Sequence, residues 1–394
     1  MLPKRSSLDY PPVLLAISEP LSCREPSGTG IALFVVGHIV NEWQEDEIME
    51  TLHFIREEEK QMEYTIISGT EMNVSRIAQG TWAIGGWMWG GTDERESIRT
   101  IHAALDQGIN LIDTAPVYGF GVSEEIVGKA IEERGDREKV FIATKVGLEW
   151  HNGSISRNSS PARIRKEVQD SLRRLRTDYI DIYQVHWPDL AVPIEETART
   201  MQALLNEGLI RAIGVSNYSP QQMNEFMSVS ELHTVQPPYN LFERQIDRDV
   251  LPYVRERNLS AFAYGPLCRG LLTGTMKPDT KFTGDDLRQS DPKFQPPRFA
   301  QYLNAVQQLD DLAQKRYGKH VMDLAVRWVL DQPGIAAALW GARHPAELEA
   351  VAGALDWNLD AEARAAIDQI LRQTIADPIG PEFMAPPARN TVAA

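Results

Sequence analysis

The stretch INLIDTAPVYG spans residues 109–119. An apolar run closes on Asp113, a small proline-bearing turn follows, and Tyr118 stands just beyond. The same rhythm recurs from Met62 onward. RIAQGTW, VFIATKV, YIDIYQVHW, IRAIGVSN, HTVQPPYN, LSAFAYGPL and IAAALWGA are short apolar runs, each ended by turn residues. Amphipathic stretches lie between them. In SPARIRKEVQDSLRRLRTD, Ile164, Val168, Leu172 and Leu175 share one helical face. VPIEETARTMQALLNEG and HPAELEAVAGAL read the same way, and several such stretches open with Ser or Pro and end with Gly, as capping requires. Strands alternating with helices pair in parallel, and eight such units predict a closed (β/α)₈ barrel. YTIISGTEMNVSRI ahead of them predicts an N-terminal β-hairpin. An open doubly wound sheet is the second reading. It usually carries a Gly-rich fingerprint after its first strand, and no G-x-G-x-x-G opens a helix in this sequence.

Bulk properties narrow the function. The chain has 394 residues, 43% hydrophobic and 24% charged, an ordinary globular composition. A net charge of −15 argues against nucleic-acid binding, which needs a basic footprint. Cys23 and Cys268 sit in unrelated contexts, so a reducing cytoplasm is the expected compartment. The apolar stretch GIALFVVGHIV, residues 30–40, is too short to span a bilayer. It also lacks the flanks of a signal peptide, so no membrane association is expected.

Residues 1–61 lack the strand–helix alternation and are expected to be an upstream-frame extension or a disordered segment, with the domain proper at 62–394. Glu and Lys codons are all purine, so EEEK ahead of Met62 demands a purine-rich stretch where a bacterial ribosome-binding site would lie. The competing reading is a true extension with one amphipathic helix in EWQEDEIMETLHFIREEEK. An intact mass of the natively expressed protein that includes residues 1–61 would refute the late start.

In a barrel the chemistry gathers at the C-terminal ends of the strands. Asp113 closes the second run, Lys145 the third and His186 the fourth. Ser216 and Asn217 close the fifth, and Gln236 the sixth. Each has a plain alternative: a turn-capping Asp, a snorkelling Lys, a satisfied core His, a loop Tyr. Together, a carboxylate, an ammonium and an imidazole would surround the phenol of Tyr118. A phenol ionises near 10, and a neighbouring ammonium is expected to lower that value and make a tuned general acid. The sequence shows neither a nucleophile beside a base nor a metal-spaced cluster. The expected missing partner is a hydride donor.

These motifs resemble the aldo-keto reductase superfamily. The carriers are NLIDTAPVYGFGVSEEIVGKAI, IATKV, YQVHWPD and IRAIGVSN, and the likeness runs from about Met62 to the C-terminus. GTWAIGGWMWGGTDE, VQPPYNLFER, YGPLCRGLLTG, LWGARHPAELEA and DPIGPEFMAPP look closest to the bacterial general stress protein subgroup. The resemblance implies a catalytic tetrad of Asp113, Tyr118, Lys145 and His186, with Tyr118 the proton donor. It implies that Ser216, Asn217 and Gln236 hold the nicotinamide carboxamide. Thr81, Trp82, Tyr264, Gly265, Pro266, Leu267 and Gly341 would line the cofactor path. Arg343 matches the 2′-phosphate position, and Arg269 and Arg288 fall in the phosphate-binding segments. A guanidinium grips phosphate bidentately, so three near one cofactor make NADPH the expected one. The alternative for Arg269 or Arg288 is pairing with Asp285 or Asp286. Toward the adenine this chain departs from the family pattern, with Glu347, Ala350 and Val351 in those places.

Trp82, Trp87 and Trp89 close the first run, and Trp187 follows His186. They predict an apolar pocket for an aromatic or aliphatic aldehyde, a small-molecule carbonyl substrate. The Pro-rich tail ADPIGPEFMAPPARNTVAA either folds over the mouth or stays disordered. A monomer or weak oligomer is expected. Two other classes stand beside the reductase: a cofactor-binding redox-sensing regulatory subunit with little turnover, and a barrel isomerase or lyase using Lys145 as a Schiff-base amine.

Overall fold

The computed structural model describes residues 62–388. The expectations for residues 1–61 therefore lie outside the described residues. A hairpin of β1 (Tyr64–Ile66) and β2 (Asn73–Ser75) comes first. Eight strands then form a closed barrel: β3 (Ile77–Gly80), β4 (Leu111–Asp113), β5 (Phe141–Val146), β8 (Ile180–Val185), β9 (Ile210–Ser216), β10 (Thr234–Gln236), β11 (Ser260–Ala263) and β12 (Ile335–Gly341). Each pairs in parallel with the next, and β12 closes the ring against β3, pairing Ala338 with Ile77 and Gly341 with Gly80. The chain folds as a (β/α)₈ barrel with the N-terminal hairpin, as the alternation predicts.

Between the strands run α1 (Glu94–Asp106), α2 (Val122–Arg134), α3 (Pro161–Leu175), α4 (Ile194–Asn206), α5 (Pro220–Met227) and α6 (Val250–Glu256). Helices α7 (Arg298–Tyr317) and α8 (Val321–Leu330) precede β12, and α9 (Ala361–Thr374) follows it. The starts follow from cap chemistry. Ser160 accepts from the Arg163 amide with Pro161 at the first helical position, and Ser219 with Gln222 forms a capping box ahead of α5. Gly135 and Gly318 end α2 and α7 in the left-handed conformation. Residues Ile164, Val168, Leu172 and Leu175 of α3 are buried, as their spacing predicts. HPAELEAVAGAL differs from expectation: Pro345–Ala354 is a 3₁₀ helix.

Alanines alternate with larger apolar residues in the barrel interior. Ala78, Leu111, Ala143, Ile182, Ala212 and Phe262 cluster with Ile67, Met72 and Val74 of the hairpin, which plugs one end. The larger apolar faces turn outward to the helices. Among the described residues no helix is long and apolar enough to cross a membrane.

One element escaped sequence analysis. After β5 the chain makes a second antiparallel hairpin, β6 (Leu148–His151) and β7 (Ser154–Arg157), turning through Asn152 and Gly153 with φ of +49° and +79°. The Asn-Gly pair was the available signal, because both turn positions need positive φ.

Candidate active site

The barrel brings the four expected residues together. Asp113 ends β4, Lys145 lies near the end of β5, and His186 follows β8. Lys145 Nζ donates to Asp113 Oδ1 at 2.6 Å, to the Thr114 carbonyl at 2.9 Å and to Tyr118 Oη at 3.2 Å. Lys145 is fully buried and Asp113 nearly so. The Tyr118 ring stacks on Trp82 with centroids 5.9 Å apart, and His186 meets it edge-on at 5.9 Å. Close backbone packing sets the phenol's position. A Cβ on Gly85 would lie 2.6 Å from the Tyr118 carbonyl carbon, and one on Gly119 would strike Gly85. The glycines of AIGGW and VYGFG therefore let the first two βα loops touch main chain to main chain.

The electrostatics differ from expectation at the phenol. Burial, with the Asp113 carboxylate, pushes the Tyr118 hydroxyl well above its usual value rather than below it. The Lys145 ammonium is neutralised by Asp113 at 2.6 Å, so the phenol faces an ion pair instead of a bare cation. Burial draws Lys145 down while Asp113 opposes that pull. Burial and the Lys145 charge push His186 well below its usual value, which leaves a neutral imidazole.

Two cavities meet at this cluster. One, of 440 Å³, is lined by Trp82, Trp87, Tyr118, His186 and Trp187, by Ser216, Asn217 and Gln236, and by the tail residues Phe383–Pro387. The other, of 550 Å³, runs past Thr81, Gly265, Pro266, Leu267 and Gly341 to Arg269, Arg288, Arg343 and Glu347. Trp82, Tyr118, Tyr264 and Met384 border both. Trp89 lines the second cavity, not the aldehyde pocket proposed from its place in the sequence.

A profile of the aldo/keto reductase family matches residues 76–372. The chain belongs to the aldo/keto reductase family. It is 61% identical over 331 residues to aldo-keto reductase YhdN of Bacillus subtilis (strain 168), covering 84% of this chain and all of that one. It is 38% identical over 310 residues to the NADH-specific methylglyoxal reductase of Escherichia coli (strain K12), covering 75% of this chain and 94% of the other. Its fold is similar to the solved glycerol dehydrogenase AKR11B4 of Gluconobacter oxydans, with a TM-score of 0.75 and 56% identity, over 82% of this chain and 99% of that one.

Within this aldo-keto reductase the polar strand ends form one network. Ser216 Oγ donates to the Gln236 carbonyl at 2.7 Å. Asn217, in a left-handed conformation, donates to the His186 carbonyl and to Ser216 Oγ, each at 3.0 Å, and accepts from Tyr264 at 3.0 Å. Gln236 Nε2 donates to Asp113 Oδ2 at 2.7 Å. Gln184, buried on β8 and unforeseen in the sequence, donates to the same oxygen at 3.4 Å. Thr81 is also committed: its hydroxyl donates to the Asp113 carbonyl at 2.9 Å.

The arginines divide. Arg343 lines the second cavity and donates to the carbonyls of Trp89 and Gly91, fastening the first βα loop. Arg288 is chelated by Asp286, the pairing considered as its alternative. Asp285 instead accepts from the Met88 and Gly90 amides. Arg269 is held by Glu243 and Asp291, which with Lys293 make a buried group of two cations and two anions. These partners lie outside its own segment, so local sequence could not indicate them. Glu347 caps the Arg343 and His344 amides. Ala350 faces the cavity, whereas Val351 is packed in the core and does not line it. Cys268 is fully buried, its thiol pushed up to about 12 by burial.

Proposed function

We propose that this chain is an NADPH-dependent reductase of small aldehydes and ketones, with Tyr118 as the proton donor. The observation that carries this reading is the position of Tyr118. Its phenol stands on the seam between the two cavities, 3.2 Å from Lys145 Nζ. A carbonyl oxygen bound in the aromatic cavity lies within reach of a hydroxyl that also borders the second cavity. As the phenol gives up its proton, the adjoining ammonium stabilises the charge that develops. The neutral His186 imidazole can hydrogen-bond the same oxygen.

The second cavity suits a dinucleotide. Gly265 and Gly341 face open space where a side chain would otherwise intrude, and Arg288 and Arg343 stand along the wall. NADPH supplies the hydride when bound there. Ser216, Asn217 and Gln236 line the first cavity, so they would orient the carboxamide of a nicotinamide that reaches across the seam at Tyr118 and Tyr264.

Arg343, whose guanidinium meets two carbonyls rather than a carboxylate, supports NADPH over NADH, although a relative is described as NADH-specific. Removing one charge-assisted phosphate contact costs about 1.5–3 kcal/mol. Arg343→Ala is therefore expected to raise KM for NADPH about 10–100-fold and to change KM for NADH little. Paired KM measurements check this, and a wild-type preference for NADH would overturn it.

The raised phenol predicts the pH dependence. Reduction uses the protonated form, which burial preserves, so kcat/KM for the aldehyde should stay flat from about pH 6 to about pH 9. Alcohol oxidation needs the phenolate and should climb with pH. A reductive rate that falls near neutrality would contradict the assignment.

A further inference from the structure

We infer that Arg157, which lines neither cavity, is a clasp that closes the tail over the aromatic cavity and thereby positions bulky substrates. This rests on that cavity being the substrate site. Arg157 ends β7, in the hairpin beyond β5. Its Nε donates to the Pro386 carbonyl and its Nη1 to the Pro188 carbonyl, each at 3.0 Å. Its guanidinium carbon lies 5.3 Å from the centre of the Trp187 ring. One planar group thus joins three segments: the hairpin, the loop after His186 and the tail.

The tail has a firm root on the opposite side of the mouth. Asp377 pairs with Arg298, the Ile379 amide donates to Tyr302 Oη at 3.1 Å, and the Gly380 carbonyl accepts from the buried Lys293 at 3.3 Å. Arg269 and Lys293 lie 5.4 and 5.5 Å from the Phe383 ring centre. Beyond this root, Ala385–Pro387 cross the cavity as part of its wall and reach Arg157. Two carbonyls and an aromatic face suit a guanidinium, whose flat fork donates in two directions while it stacks. A lysine ammonium can satisfy only part of this geometry.

The test uses the full chain, with Arg157→Ala and Arg157→Lys beside the wild type. KM for 2-naphthaldehyde, large enough to meet the tail, should rise about tenfold in Arg157→Ala. kcat, KM for propanal and NADPH affinity should stay within about twofold. Arg157→Lys should fall between. Chymotrypsin should nick the chain after Phe383 faster in the alanine variant, a readout independent of turnover. Unchanged KM for 2-naphthaldehyde together with unchanged nicking would overturn the clasp. Tyr118→Phe run in parallel separates the two failures. If that variant keeps its turnover, the proposed function falls, while the nicking rates still decide the clasp.

Discussion

Tyr118→Phe should lower kcat for aldehyde reduction by about 10²–10⁴-fold, the usual contribution of a positioned general acid. The replacement keeps the ring between Trp82 and His186, so the aromatic wall survives. What disappears is the hydroxyl 3.2 Å from Lys145 Nζ. NADPH affinity, followed by tryptophan fluorescence, should change less than about twofold, because the loss falls on the chemical step. Absorbance loss at the reduced-nicotinamide band, with NADPH and NADH side by side, measures the turnover. A phenylalanine variant within about tenfold of wild type would remove Tyr118 as the acid. A wild type that binds NADPH tightly but consumes neither cofactor would instead favour the regulatory reading.

The second large effect concerns Lys145. Lys145→Met strips Asp113 of its counter-charge inside the barrel, where the pair is 2.6 Å apart and almost wholly enclosed. Breaking one side of a buried ion pair costs about 3–5 kcal/mol, more than the pair's own net contribution to stability. At roughly 1.2–1.5 °C per kcal/mol for a chain of this size, the melting temperature should fall by roughly 5 °C. Activity should fall with it, since the group that steadies the developing phenolate is gone. Adding Asp113→Asn should recover most of the melting temperature, because no unpaired charge is left at this site, yet leave the enzyme inactive. Differential scanning calorimetry with parallel kinetics reads both. A single variant that melts like the wild type would mean that Asp113 does not depend on this ammonium. The same experiment bears on the Schiff-base alternative, for which borohydride trapping on Lys145 with substrate is the direct check.

The arrangement around Asp113 explains why four positions were legible while their tuning was not. Asp113, Lys145 and His186 stand out because charged and polar residues are unusual at the ends of apolar runs. That signal is local, and the barrel converts it into proximity by placing every strand end at one rim. Gln184 carries a weaker signal: a polar residue inside YQVHW, whose inward direction depends on strand register. Its partner Asp113 lies 71 residues away. The lowered phenol expected from Lys145 failed for a similar reason. Proximity of ammonium and phenol follows from the strand ends, but the net field depends on how fully Asp113 neutralises the ammonium and on how deeply all three are buried.

The sequence by itself determined the period of the strands and helices, the caps, the N-terminal hairpin and the polar residues that end the strands. All of these are set by neighbours a few positions apart, through side-chain alternation, capping hydrogen bonds and permitted φ. Only the tertiary structure decided that Gln236 reaches Asp113 across 123 residues, that Arg269 answers to Glu243 and Asp291, and that Arg157 meets Pro386 across 229 residues. Such pairings depend on register, burial and loop paths summed over the whole barrel, and no short window of residues contains that sum.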